Sequence, residues 1–291
     1  MNKSDIRELT PLINNSEISS IQKVVSEIIR VCNDPSSSAK DLKEVIEIDP
    51  PLTGKVLRRA NSAYYARQRN VEEIQQAIIL IGFDAVRDLA LSQKVFEIFA
   101  DETTIHGFSR IELWKQTLAA ALMAKSIYRR EFNERGENMY AAGILHNIGI
   151  IVEDQFLHDQ FVKVLERQHA TPRELIDLEE KEFGFNHTNI GMAVANNWNL
   201  PIELVMAIGY HHSPELVPED YFRSASTLFL ADYLCQKAGI GYGHSSDQNG
   251  DRIKTILKKL NIKMKALDYI QSTVELEIHK MEKHDWFKTA A

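Results

Sequence analysis

Apolar residues recur every three to four positions along most of this chain, and no convincing run alternates apolar with polar. A stripe with that 3.6-residue period can be buried along one side only if the backbone is helical, so the expected fold class is all-α. In residues 17 to 32, Ile18, Ile21, Val25, Ile28, Ile29 and Cys32 share one stripe, and Asn33-Asp34-Pro35 stops the helix. Ser36 to Ser38 offer N-caps for a second helix to about Ile48. Asp49-Pro50-Pro51 ends it and starts a short helix over Leu52 to Ser62, because proline suits a first helical turn and discourages helix in the residue before it. Tyr64 to Asn70 reads as a polar, aromatic loop, followed by helices over Val71 to Ile81 and Asp84 to Phe99 with Gly82 as the break.

The stretch Asp101 to Gly107 is polar and carries no stripe, which makes it the expected internal boundary between two subdomains. A long helix over Ser109 to Phe132 then turns Ile111, Trp114, Leu118, Leu122 and Ile127 inward, and Asn133 to Asn138 forms a charged turn. Helices near 139 to 147, 158 to 168, 172 to 183, 187 to 197, 201 to 212 and 222 to 238 complete a bundle. Gly239 to Gly250 is rich in Gly, Ser and His and reads as a mobile loop. A final helical region over Arg252 to Lys283 carries Ile256, Leu257, Leu260, Leu267, Ile270, Val274 and Ile278, a stripe that would dock on the body or on a partner. The expected organisation is therefore a lead-in over 1–16, a smaller helical part over 17–100, a helical bundle over 108–240 and a C-terminal helical extension over 251–291.

With 291 residues and 44% apolar content the chain can build a substantial core. Asp plus Glu number 41 against 34 Lys plus Arg, a formal charge of -7, and no basic block interleaves with aromatics, which argues against direct nucleic-acid binding. No apolar run approaches the roughly 18 to 20 residues of a membrane span, and the start lacks the apolar core of a signal peptide, so the expected compartment is the cytoplasm. Cys32 and Cys235 lie far apart without Cys-x-x-Cys spacing and read as small buried apolar groups rather than a disulfide or metal pair.

The residues that could carry chemistry are His146, His187, His211, His212 and Asp232, which recur in order on successive helices of the second half. His187 opens a helix whose inner positions Gly191, Ala193 and Ala195 are small. Asp232 sits inside the apolar run Leu-Phe-Leu-Ala-Asp-Tyr-Leu, where a buried charge needs a partner. Each has an ordinary explanation when taken alone. A histidine at a helix C-terminus gains a few tenths to about one kcal/mol from the helix dipole, His146 and His187 could be capping or core residues, and Asp232 could pair with any of the histidines.

Order and surroundings shift that weighting. Ile48-Asp49-Pro50-Pro51-Leu52-Thr53, Val56 to Tyr65 and Ile74 to Gly82 in the first half, then Leu113-Trp114, Ala142-Gly143-Ile144-Leu145-His146-Asn147-Ile148-Gly149, His187 to Gly191, Asn197 to Pro201, Ile208 to Pro214 and Ala231-Asp232, resemble the HD superfamily. The fit is best to its HDOD branch, a regulatory relative of the HD and HD-GYP hydrolases, and it covers residues 17 to 240 or so. The resemblance implies an HD-like bundle in the second half and a role in bacterial signal transduction. Catalytic HD proteins hold a metal with a first His, a His-Asp pair and a distal Asp. Carried over by position, these fall at Gln116, at His146 with Asn147, and at Asp232, so two of the four are amides here. His187, His211 and His212 match the further metal-binding histidines of HD-GYP relatives.

A divalent ion that hydrolyses phosphoesters needs hard anionic oxygen and a water whose pKa it can lower, and Gln and Asn offer neutral carbonyl oxygens instead. The chain is therefore expected to be a regulatory module that binds a partner or ligand without catalysis, with a degenerate metal site, no catalytic residue and no resident cofactor. The competing expectation is a metal-dependent phosphohydrolase acting on a nucleotide or cyclic dinucleotide, in which the remaining imidazoles take Fe, Zn, Ni or Mn. A third is a scaffold whose histidines merely pair with Asp232 and backbone groups. The expected partner is another signalling protein. Tyr64-Tyr65-Ala66-Arg67-Gln68-Arg69 could contact a ligand or that partner but reads more simply as a solvated loop anchored by one tyrosine.

Overall fold

In the computed structural model, which describes residues 6–65, 71–171, 173–242, 250–284 and 286–287, helices follow one another along nearly the whole chain. The N-terminal part comprises α1 (Ile6–Asn14), α2 (Glu17–Asn33), α3 (Ala39–Glu47), α4 (Pro50–Ala60), α5 (Ile74–Ile81) and α6 (Phe83–Phe96). Local chemistry sets their ends. The Ser16 hydroxyl accepts from the Ile18 amide at 3.2 Å, and the Asp49 carboxylate accepts from the Leu52 amide at 2.9 Å, so each caps an N-terminus that would otherwise leave donors unsatisfied. α5 begins at Ile74 rather than at Val71 as expected, because the Asn61 side chain holds both backbone groups of Val71, at 2.7 and 2.8 Å, in extended geometry. Within the lead-in, residues 6–14 form α1. Leu9 and Ile13, four residues apart, are buried and seat α1 on α2.

The stretch expected to be a bare polar boundary carries a minimal hairpin, β1 (Thr104–Ile105) paired antiparallel with β2 (Phe108–Ser109). His106 and Gly107 both have positive φ, 48° and 85°, as a two-residue turn with right-handed strand twist requires. The core does not stop there. Phe108 meets Phe161 edge-on at 5.2 Å, and a single cluster of buried apolar residues runs through both sides.

The bundle consists of α7 (Arg110–Glu131), α8 (Glu137–Leu145), α9 (Ile148–Phe156), α10 (His158–Ala170), α11 (Leu175–Phe183), α12 (His187–Asn197), α13 (Ile202–Tyr210) and α14 (Phe222–Ala238). α7 is its axis, packed on α8 and α14. Gly143 permits that closeness, since a Cβ there would lie 2.4 Å from the Ala121 Cα. The expected single terminal region is two helices, α15 (Gly250–Leu260) and α16 (Met264–Lys283), broken where Asn261 takes φ 57°. α16 lies along α7 and α14 and reaches the N-terminal part, where the Tyr64 hydroxyl donates to Glu277 at 2.8 Å and Arg59 donates to the Trp286 carbonyl at 3.2 Å.

Smaller expectations also need correction. Ala193 is exposed rather than inner, Ile111 and Leu122 are half-buried, and Cys32 is half-buried while Cys235 is fully buried; both thiols are free. Residues 66–69 of the aromatic, basic loop and residues 243–249 of the Gly-rich segment lie outside the described residues. Among the described residues no helix is long and apolar enough to cross a membrane.

Candidate functional site

Three helix ends and one helix middle meet inside the bundle. His146 follows α8, His187 opens α12, His211 and His212 follow α13, and Asp232 lies midway along α14. Glycine again sets the distance: a Cβ on Gly149 would lie 2.0 Å from the His187 carbonyl oxygen, so only glycine lets α9 press against the start of α12. The rings of His146 and His211 are 5.0 Å apart, those of His187 and His211 5.4 Å, those of His187 and His212 5.1 Å, and those of His211 and His212 4.3 Å. All four sequence-predicted histidines converge, and Asp232 stands beside His146, with Oδ1 3.8 Å from Nε2.

Three of these rings are held in the same manner. His146 Nδ1 donates to the Gly143 carbonyl at 2.7 Å and His211 Nδ1 to the Ile208 carbonyl at 2.7 Å. His187 Nδ1 lies 2.7 Å from a Glu179 carboxylate oxygen that also accepts the His187 amide at 3.0 Å. A carbonyl oxygen can only accept, so Nδ1 carries the proton in His146 and His211, and the Glu179 carboxylate imposes the same form on His187. In a neutral ring Nε2 is then a lone pair. Among the described residues these three buried Nε2 atoms have no hydrogen-bond partner. Fixing one ring nitrogen on an acceptor so that the other faces inward is how metal-ligating histidines are oriented.

The charges agree with neutral rings at His211 and His212. Burial, reinforced by the neighbouring imidazoles, holds His211 well below the usual histidine range, and burial with His187 nearby lowers His212 to about 4. Burial would raise the Asp232 carboxyl, but contact with His146 and the Gln116 amide outweighs it and holds the group at about 2. Glu179 and Glu153 are missing from the sequence reading and are fully buried behind His187. Burial and the Glu179 charge push Glu153 well up, so it is the protonated partner, whereas burial of Glu179 is outweighed by His187 and its hydrogen bonds. A signal for Glu179 existed: it stands between Leu175 and Phe183 on one i, i+4 row of α11, an acid on the apolar face.

The amide positions behave differently. Gln116 Nε2 donates to Asp232 Oδ1 at 2.6 Å, and Gln236 Nε2 donates to Oδ2 at 3.0 Å, so both carboxylate oxygens are engaged by neutral donors. Asn147 turns its amide nitrogen to the Thr117 hydroxyl at 3.1 Å. The structure thus groups His187, His211 and His212 as an imidazole set, with ligand atoms all within 4.8 Å of one another, while Gln116 and Asn147 bond to protein groups. A tetrahedral ion with N ligands at 2.0 to 2.1 Å would need nitrogens about 3.3 Å apart, so the rings fit an imidazole-preferring ion after a modest contraction.

Outside the imidazoles lies a polar cleft of about 400 Å³. It shares Glu174, Ile176, His212, Asp232 and Gln236 with an inner cavity of about 50 Å³ that touches His187. Glu174, Asp177, Glu180 and Asp232 face it against Arg252, and that guanidinium is already bonded to Glu215 and, at 2.6 Å, to the His212 carbonyl. The approach to the site is acidic.

Comparison with known proteins places the chain by family and fold. The HDOD domain family pattern matches residues 18–214. An uncharacterized protein of Treponema pallidum is 26% identical over 222 residues, 74% of this chain, and the chain spans only 42% of that relative's length. The crystal structure of an HDOD domain protein of unknown function from Geobacter sulfurreducens superposes with a TM-score of 0.78 at 25% identity, over 92% of each chain. A proposed signal transduction protein from Marinobacter aquaeolei shares the fold at a TM-score of 0.74 and 20% identity, over 97% of this chain and 68% of the other.

Proposed function

The chain belongs to the HDOD domain family, and from that premise we propose that it serves bacterial signal transduction as a regulatory module whose HD-type cleft holds a ligand without hydrolysing it. The observation that carries this reading is the pair of amide hydrogen bonds on Asp232, from Gln116 at 2.6 Å and Gln236 at 3.0 Å. Phosphoester hydrolysis by a bound ion calls for anionic oxygen on the metal and an activated water. The one surviving acid of the HD set has both oxygens occupied by neutral donors, and Asn147 bonds to Thr117. The acidic cleft supports the same reading, because it repels the phosphates that a phosphodiesterase must admit. A chain of charge -7 is suited to a protein partner rather than to nucleic acid.

The test is turnover. The full chain, supplied with Mn or Fe, is assayed on a chromogenic phosphodiester and on cyclic dinucleotides, and the expected rate is that of buffer with metal alone. Stoichiometric metal with turnover that disappears in His187→Ala would overturn the proposal.

One observation favours a second reading, a metal-dependent phosphohydrolase. Three buried Nε2 lone pairs without partners converge beside His212. His187, His211 and His212 would hold Zn, Ni, Fe or Mn, with Glu179 fixing His187 from behind. Such an ion would supply Lewis-acid polarisation of a bound oxygen. Elemental analysis separates binding from turnover: metal without hydrolysis fits the regulatory module.

A further inference from the structure

A second cavity, of about 620 Å³, lies where the N-terminal part, the bundle and the C-terminal extension meet, away from the imidazoles. Its volume is in the range of small-molecule sites. Tyr64 and Tyr65 line it from the turn after α4, Leu118 and Leu122 from α7, and Glu277 and Met281 from α16, with Trp286 just beyond.

Charge is unevenly satisfied around it. On the wall formed by α6, α7 and α8, Arg87 pairs with Asp84 at 2.9 Å and Asp88 at 2.7 Å, Arg129 pairs with Asp84 at 2.8 Å and Glu137 at 2.7 Å, and Lys125 pairs with Asp88. Arg135 also pairs with Glu137, at 3.3 Å, so four cations share three carboxylates there. Glu277 differs: it accepts a hydrogen bond from the Tyr64 phenol at 2.8 Å, and among the described residues no cationic side chain pairs with it. Aromatic rings surround it. Tyr64 meets Tyr65 edge-on at 4.9 Å and Trp286 at 5.3 Å, and burial with the Glu277 charge pushes the Tyr64 phenol well up, so it stays a donor. A carboxylate beside aromatic rings is an arrangement that attracts organic cations, and the Trp286 ring already carries one, the Arg59 guanidinium 5.1 Å from its centroid.

We propose that this junction cavity binds an amphiphilic organic cation, an ammonium group on an apolar or aromatic body, with Glu277 as counter-ion, Tyr64, Tyr65 and Trp286 around the charge, and Leu118, Leu122 and Met281 against the body. An anionic ligand would meet Glu277 with the nearby cations already paired. Because the walls come from three parts of the chain, occupancy ties the extension to both of the others, which makes the cavity an input site for a regulatory module.

The test is ligand-observed NMR on the full chain with tryptamine and indole-3-acetate, which share a ring and differ in charge. Saturation transfer to tryptamine and none to indole-3-acetate is expected. Glu277→Gln, at a half-exposed position, should weaken tryptamine binding by about tenfold, and Leu122→Trp, which fills the cavity, should abolish it. Asp177→Asn, in the acidic cleft, should leave it unchanged. The proposal is overturned if neither probe binds, if indole-3-acetate binds as well as tryptamine, if Glu277→Gln and Leu122→Trp both bind tryptamine as the parent does, or if Asp177→Asn removes the binding.

Discussion

The two walls of the histidine cleft are built in opposite ways. On the α7 and α14 side, Gln116, Asp232 and Gln236 bond to one another, and Asn147 bonds to Thr117, so that wall has closed in on itself. On the α8, α12 and α13 side, His146, His187 and His211 keep Nδ1 anchored and leave Nε2 without a partner. Buried polar atoms are costly unless paired; among the described residues the first wall leaves one of them, Gln116 Oε1, without a partner, whereas the second leaves three. On the proposed reading the site has lost its hydrolytic half and kept its binding half, with the imidazole wall offering the partners that a ligand would use.

Perturbing each wall separately tests this contrast. The largest effect is expected from Gly149→Ala, whose Cβ would overlap the His187 carbonyl. Overpacking of backbone against backbone should cost about 3 kcal/mol of unfolding free energy, measured by denaturant titration, and should displace His187. Next, His211→Ala should lower affinity for Zn or Ni, measured calorimetrically, by more than about 100-fold, whereas Gln116→Ala should change it by less than about threefold. Equal losses in the two variants would erase the distinction between the walls. Glu179→Gln, which keeps the shape but not the charge behind His187, should reduce metal affinity by about 10- to 100-fold without loss of folding. Gln116→Ala removes a donor from Asp232 and should cost about 1 to 2 kcal/mol of stability.

A further test is the dependence on pH. His211 and His212 remain neutral in the folded protein, His212 to about pH 4, while in the unfolded chain they take up protons below about pH 6.5. Their contribution is complete above about pH 6.5 and is lost as pH falls from there toward 4, so the melting temperature should decline across that window. Asp232, at about 2 when folded against an ordinary value near 3.8, adds a further loss only below about pH 3.8. In His212→Gln the decline between pH 6.5 and 4 should become shallower.

Much of this was legible because the helices announce themselves. The stripes of α2 and α7, the Asp49-Pro50-Pro51 start of α4 and the Gly82 break all stand where side-chain spacing and cap chemistry put them. α9 was missed for a physical reason: Ile148 to Val152 is buried on every side, so there is no polar face to reveal a period. The hairpin was invisible because four paired residues give no alternation to detect, and only His106-Gly107 hinted at it. At the site, the histidines were legible by type and order, and Gln116 and Asn147 by contrast with the HD set. What could not be read was direction. That Asn147 turns to Thr117, that Gln116 turns to Asp232, and that Glu153 and Glu179 share a buried space behind His187 depends on how helices distant in sequence face each other.

The anchored ring nitrogens have a consequence for how this region could be watched. A proton held between an imidazole and a carbonyl inside the protein exchanges with water only when the surrounding helices open. The Nδ1 protons of His146 and His211 therefore serve as clocks for local opening of α8 and α13, slow when the bundle is shut and faster when a ligand or partner loosens it. No label would be needed, because the protein carries its own reporters at the spot where its regulation is expected to act.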